Sequence, residues 1–321
     1  PDYRDRFPES TDTYENRRLE LLGLLLQGLA HYRQSVRQEA LLVTGNLLFE
    51  YPVLSMEEKA RLFSLSYRKL LFLIQEAPVQ DQALTFYYRA AALADLYRFI
   101  SLWRLDNGPF TFETPKKIAF FPGTFDPFTL SHKGIAHAIR DLGFEVYLAV
   151  DEFSWSKKAQ PHLIRRQIVN LSVAGDFHVH LFPDDIPINI ANPQDLQRLV
   201  ELFPGQEVYI VAGSDVVANA SSYRAKPRPF SIHQMNHIIF RRAGEAVPKL
   251  NYPITGEVIQ LQLPPHLEDI SSTRIRENVD LNRDISNFID PVIQDFIYQN
   301  GLYLRDSQEK SMLSAGNLAF Q

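Results

Sequence analysis

From about Thr13 to Leu105 apolar residues return every three or four positions, with Leu62, Leu65, Leu70 and Leu73 forming one such stripe. That spacing predicts helices over 14–34, 37–49, 56–75 and 81–104 that pack by their apolar faces into a bundle. Ser55, with Glu58 three residues on, predicts the start of the third. Asn107-Gly108-Pro109 and Thr114-Pro115 then break the pattern and mark a linker. Beyond it short apolar runs alternate with helical spacing. Strands are expected over 118–121, 145–150, 178–182, 208–211, 237–240 and 258–263, and helices over 131–142, 163–174, 193–202, 272–279 and 291–299. The alternation predicts an α/β fold, a doubly wound parallel sheet whose ligand crevice lies at the carboxyl ends of the strands.

A length of 321 residues suits two domains. We divide the chain into an all-α helical domain, 1–111, an α/β domain, 112–305, and a pattern-poor tail, 306–321. A net charge of −5 with mixed signs gives no basic face for nucleic acid. The chain has no cysteine, which excludes disulfides, thiolate zinc sites and a cysteine nucleophile. The most apolar window, 19–30, is interrupted by Gly23 and Gln27, so it reads as a buried helix and no membrane association is expected. These features suggest a cytoplasmic protein. His31 is the one histidine before the linker, too few for a metal site there. The aromatic residues Phe86, Tyr87, Tyr88, Tyr97, Phe99 and Trp103 suggest packing, interdomain docking or a homo-oligomer contact for the helical domain.

Candidate chemistry concentrates where the first expected strand breaks into a Gly/Pro/Asp loop and resumes as a helix. A helix starting there aims unpaired N–H groups and the positive end of its dipole at the crevice, an arrangement suited to phosphate. His132 falls in its first turn, and Gly123 and Thr124 offer backbone N–H groups and a hydroxyl. Asp126 suits either the turn or a ligand contact. Ser272, Thr273 and Arg276 form a second anion site at another helix start, with Arg274 beside them. Lys157, Lys158, His162, Arg165 and Arg166 follow the second strand. Neither GxxxxGK[ST] nor GxGxxG occurs, so P-loop and dinucleotide fingerprints are excluded.

Gly123-Thr124-Phe125-Asp126-Pro127 and Thr129-Leu130-Ser131-His132 resemble the GxFDPxH/TxGH signature of the nucleotidyltransferase superfamily. Ile270-Ser271-Ser272-Thr273-Arg274-Ile275-Arg276 is similar to its ISSTxIR. The resemblance covers about 116–305 and is nearest to nicotinate-nucleotide adenylyltransferases. It implies a Rossmann-like fold and transfer of AMP from ATP, with Mg²⁺ carried on the nucleotide, to nicotinate (or nicotinamide) mononucleotide, with release of pyrophosphate, in NAD biosynthesis. It also implies catalytic roles for His132, Arg276 and Thr129. Gly123, Thr124, Phe125, Asp126, Ser131, Ser272 and Thr273 would meet the nucleotide. Lys158, Arg166, Gly213, Asp215 and Arg241 would meet the phosphorylated small-molecule acceptor.

Three positions depart from the family pattern. Thr129 stands for a histidine, Ser131 stands for a glycine, and no tryptophan follows Gly213-Ser214-Asp215, where Tyr223 is the nearby aromatic. Two alternatives stay open: a nucleotidyltransferase using another acceptor, such as phosphopantetheine, or CTP, and a nucleotide-binding regulatory protein without turnover.

Overall fold

The computed structural model describes residues 11–50, 54–75, 83–151, 159–241 and 251–304. Lys157 and Lys158 lie outside them. The chain divides into two compact units, Pro1–Pro115 with Asn170–His180, and Lys116–Val169 with Leu181–Gln321.

The first unit contains α1 (Thr11–Ala30), α2 (Gln34–Val43), α3 (Met56–Gln75) and α4 (Ala83–Asn107). Leu22, Leu26, Leu29, Leu41, Phe49, Phe63, Leu70, Leu96 and Phe99 form its core. The helix expected to run to residue 34 stops at Ala30. Arg37 draws the His31 and Tyr32 carbonyls onto its guanidinium at 2.6 and 2.8 Å, taking them out of any helical ladder. α2 widens into a π-helical turn over Thr44–Glu50, where the Thr44 hydroxyl donates to the Ala40 carbonyl at 2.7 Å and competes with the regular bonding. Ser55 and Glu58 make reciprocal side-chain to backbone bonds of 3.2 and 2.8 Å at the start of α3. Lys69 is buried, and its ammonium donates to the Val173 and Val179 carbonyls at 2.6 and 2.7 Å. Ala174 and Phe177 join the same core.

The second unit is built on a six-stranded sheet in the order β3-β2-β1-β4-β5-β6. Its strands are β1 (Lys117–Gly123), β2 (Glu145–Val150), β3 (Val179–Leu181), β4 (Glu207–Gly213), β5 (Asn236–Arg241) and β6 (Val258–Gln262). The β1–β2, β1–β4, β4–β5 and β5–β6 pairs are parallel. Helices α5 (Leu130–Asp141), α6 (His162–Val173) and α7 (Pro193–Glu201) connect the first four strands. The short α8 (Ser214–Asn219), α9 (Ser221–Arg224) and α10 (Pro265–Glu268), which periodicity does not reveal, precede α11 (Ser272–Asp280) and α12 (Pro291–Gln299).

Alternation along β1 assigns the two faces of the sheet. Ile118 and Phe120 pack with Leu196 and Leu199 of α7. Phe121, on the other face, meets the rings of Phe125, His132 and Phe240. Chain order reverses between β1 and β4, and the crevice opens there.

Candidate active site

The crevice floor is two strand ends. Three residues beyond the last recorded β1–β4 pair, Phe120↔Ile210, both strands reach glycine, at Gly123 and Gly213. A Cβ on Gly123 would lie 2.6 Å from the Phe125 ring, and one on Gly213 would lie 2.4 Å from the Asp215 carboxylate. A side chain at Gly123 would drive into the packed Phe125 ring, and one at Gly213 would displace the Asp215 carboxylate, so backbone lines the floor.

Thr129 caps α5. Its hydroxyl accepts from the His132 N–H at 3.3 Å, and its own N–H donates to His132 Nδ1 at 3.1 Å. The Thr129 hydroxyl also lies 3.0 Å from Nδ1. A ring nitrogen that accepts a backbone N–H carries no proton, so neutral His132 bears its proton on Nε2. Burial pulls the His132 pKa down to about 4, and the neutral form prevails at pH 7. His132 therefore offers the crevice a neutral N–H donor.

The loop between β1 and α5 is clamped from two sides. Buried Arg165 donates to the carbonyls of Thr124, Asp151 and Gln160 at 2.6, 3.0 and 2.9 Å. Opposite, Arg276 donates to the Asp126 carbonyl and lies 3.9 Å from the Asp126 carboxylate. Asp126 Oδ1 also accepts from the Gln160 N–H at 3.2 Å and the Tyr303 hydroxyl at 2.8 Å. Phe125 sits at φ 48°, a backbone region costly for a bulky residue. Its ring packs edge-on against Phe121, Phe128 and His132 with centroids 5.2 to 5.5 Å away.

α11 starts at Ser271, whose hydroxyl caps it by accepting from the Arg274 N–H at 3.2 Å. Ser272 is thereby free of the capping role, and its hydroxyl donates to the Pro127 carbonyl at 2.8 Å. Arg276 reaches the Thr273 hydroxyl at 3.1 Å, and Arg274 lies over the Phe288 ring at 4.8 Å.

Gly123, Asp126, His132, Gly213, Ser272 and Arg276 share one cavity of about 550 Å³. Its far wall carries Arg166, Asp184, Ile186, Ile188 and Ile190. Arg166 is buried, donating to the Phe182 carbonyl at 2.7 Å and pairing with Asp184 at 2.9 Å. The isoleucines pack with Phe120 and Phe182, the sheet face opposite α5.

Residues 120–278 match the Cytidylyltransferase-like family model. A probable nicotinate-nucleotide adenylyltransferase of a Shewanella species is 24% identical over 217 residues, covering 59% of this chain and 99% of the relative. Its counterpart in Bacteroides thetaiotaomicron is 27% identical over 203 residues, covering 60% and 94%. The Plasmodium falciparum nicotinic acid mononucleotide adenylyltransferase complexed with NaAD aligns at 19% identity with a TM-score of 0.47, over 59% of this chain and 97% of that one. The family match and these relatives support a place in the nucleotidyltransferase superfamily.

The cavity wall includes Gly123, Thr124, Phe125, Asp126, Ser131, His132, Arg166, Gly213, Asp215, Arg241, Ser272 and Arg276. Thr129 lies behind His132 as its cap, buried away from that wall, and Thr273 is exposed and braces Arg276. Tyr223, the nearby aromatic noted in the sequence, is buried beneath the surface with its hydroxyl 3.0 Å from His237 Nε2. Sequence reasoning missed Tyr303 as a partner of Asp126, and it missed the Ile186–Ile188–Ile190 wall. The wall was visible as a two-residue alternation. The Tyr303 contact spans 177 residues and leaves no local signal.

Proposed function

We propose that the chain transfers the adenylyl group of ATP to nicotinate mononucleotide and releases pyrophosphate. The observation that carries this reading is the placement of neutral His132 and charged Arg276 on one cavity at the sheet's switch point, beside a backbone-lined floor. The names of the relatives support it.

A phosphate oxygen of the acceptor attacks the α-phosphorus, and the bond to the β-phosphate oxygen breaks as pyrophosphate leaves. That oxygen is already an anion, so the protein's task is alignment and charge stabilisation. His132 Nε2–H donates to the α-phosphate, and Arg276 with Ser272 holds the departing phosphates. Mg²⁺ arrives as part of the substrate. Among the described residues no His, Cys, Asp and Glu group of three or more could hold a metal ion.

A second reading, another acceptor, draws on the aliphatic wall at Ile186, Ile188 and Ile190. Pyrophosphate release measured for ATP and CTP against nicotinate mononucleotide, nicotinamide mononucleotide and phosphopantetheine tests both. Release with ATP and nicotinate mononucleotide is expected. Release with phosphopantetheine alone selects the second reading. The helical unit fits a docking or oligomerisation role, with Leu21, Leu24, Tyr97 and Leu105 exposed.

A further inference from the structure

The segment after α12 is not used by the chemistry above, yet it sends one polar atom to the site. We infer that Tyr303 is a positioning residue that sets the charge Arg276 presents to the nucleotide, acting through the Asp126 carboxylate. The inference rests on the proposed binding of ATP in this cavity.

Tyr303 is held rigidly. It sits at φ 65° just after Gly301 at φ 59°, and the Leu302 N–H donates back to the Ile297 carbonyl at 3.0 Å, so the chain turns sharply at the end of α12. The tyrosine is buried, and its hydroxyl ends 2.8 Å from Asp126 Oδ1. Burial, with the Asp126 charge beside it, pushes the phenol's pKa well up, so the group stays an O–H donor.

Two donors, Tyr303 O–H and Gln160 N–H, converge on Oδ1. They fix the carboxylate plane and hold Oδ2 3.9 Å from the Arg276 guanidinium. That spacing is beyond hydrogen-bond reach, and the fork–fork pairing that arginine and carboxylate readily adopt does not form. Arg276 instead donates to the Asp126 carbonyl and to Thr273, two neutral oxygens. Its positive charge is thus only partly offset within the protein. Without the Tyr303 hydroxyl the carboxylate can rotate onto Arg276, and a closed ion pair would compete with the polyphosphate for the same cation.

The test is a double-mutant cycle read by calorimetric titration with Mg²⁺ and ATP in the absence of acceptor. Tyr303→Phe should weaken ATP binding about tenfold, the scale of one charge-coupled contact, and leave KM for the acceptor unchanged. In an Arg276→Ala background the same substitution should change ATP binding less than about twofold, because coupled residues are not additive. An equal loss in both backgrounds, or a lowered melting temperature with unchanged ATP affinity, overturns the inference and leaves the proposed function standing. Should Tyr303→Phe fail to fold, Asp126→Asn supplies the check: it removes the charge that competes for Arg276, so ATP should bind at least as tightly as to the native chain. Weaker binding would sink the idea. A native chain that binds no triphosphate would overturn the proposed function and this inference together.

Discussion

Two helix starts face the same cavity, and they are built differently. At α5 the cap is buried Thr129, and the side chain proposed to act is a neutral, desolvated histidine locked at Nδ1 by a backbone N–H. At α11 the cap is Ser271, and the side chain proposed to act is a half-buried, charged arginine braced by a hydroxyl and a carbonyl. A neutral donor in a desolvated place gains most when charge grows on its partner, whereas a permanent cation gains from charge that is present throughout. The first start suits the transition state, and the second suits the bound nucleotide.

The sharpest way to break this contrast is to remove each side chain. His132→Ala should lower kcat and kcat/KM together by about 10²–10³-fold, with ATP affinity little changed. Loss of ATP affinity with turnover at saturation untouched would make the histidine a ground-state ligand. Arg276→Ala should show the opposite weighting, with KM for ATP rising by about 10-fold or more and kcat falling by no larger factor. A fall in kcat alone would erase the distinction.

Thr129→Val tests whether the cap matters through the histidine. It removes the hydroxyl but keeps the backbone N–H on Nδ1. Stability should fall by about 1 kcal/mol for the lost cap, with kcat down about fivefold, a loss far smaller than that from removing His132 itself. Urea midpoints and steady-state rates read the two effects separately.

The pH dependence of stability gives the mildest check. Burial lowers His132 and His237 from 6.5 to about 4. As pH falls below about 6.5 the unfolded chain takes up protons that the folded chain refuses, so stability declines through the window from 6.5 to 4 and this contribution levels off below it. The urea midpoint should follow that course, and His132→Gln should flatten part of the slope. A midpoint unchanged across the window would contradict the neutral histidine at the α5 start.

Much of the sheet could be read in advance, because a buried parallel strand is a short apolar run between breakers and β1, β2, β4 and β5 all have that form. That His132 and Arg276 would fall near helix starts was legible from the two signatures that contain them. The orientation of His132 was not, since it depends on which Thr129 atoms meet Nδ1, a matter of geometry over three residues. Arg165 and Arg166 looked alike in sequence, yet one gathers three carbonyls of the site loops and the other pairs with Asp184 on the far wall. Neighbouring helical positions point about 100° apart, and spacing alone does not say what each direction holds. The break after Ala30 was also hidden, because Arg37 creates it from beyond the break.

Residues Asn170–His180 count with the helical unit although the chain on both sides of them builds the α/β unit. The backbone enters the helical unit twice, so that unit cannot loosen without freeing a loop tethered at one end in α6 and at the other in β3. Two ammonium-bound carbonyls, at Val173 and Val179, would then lose their partner at the same moment.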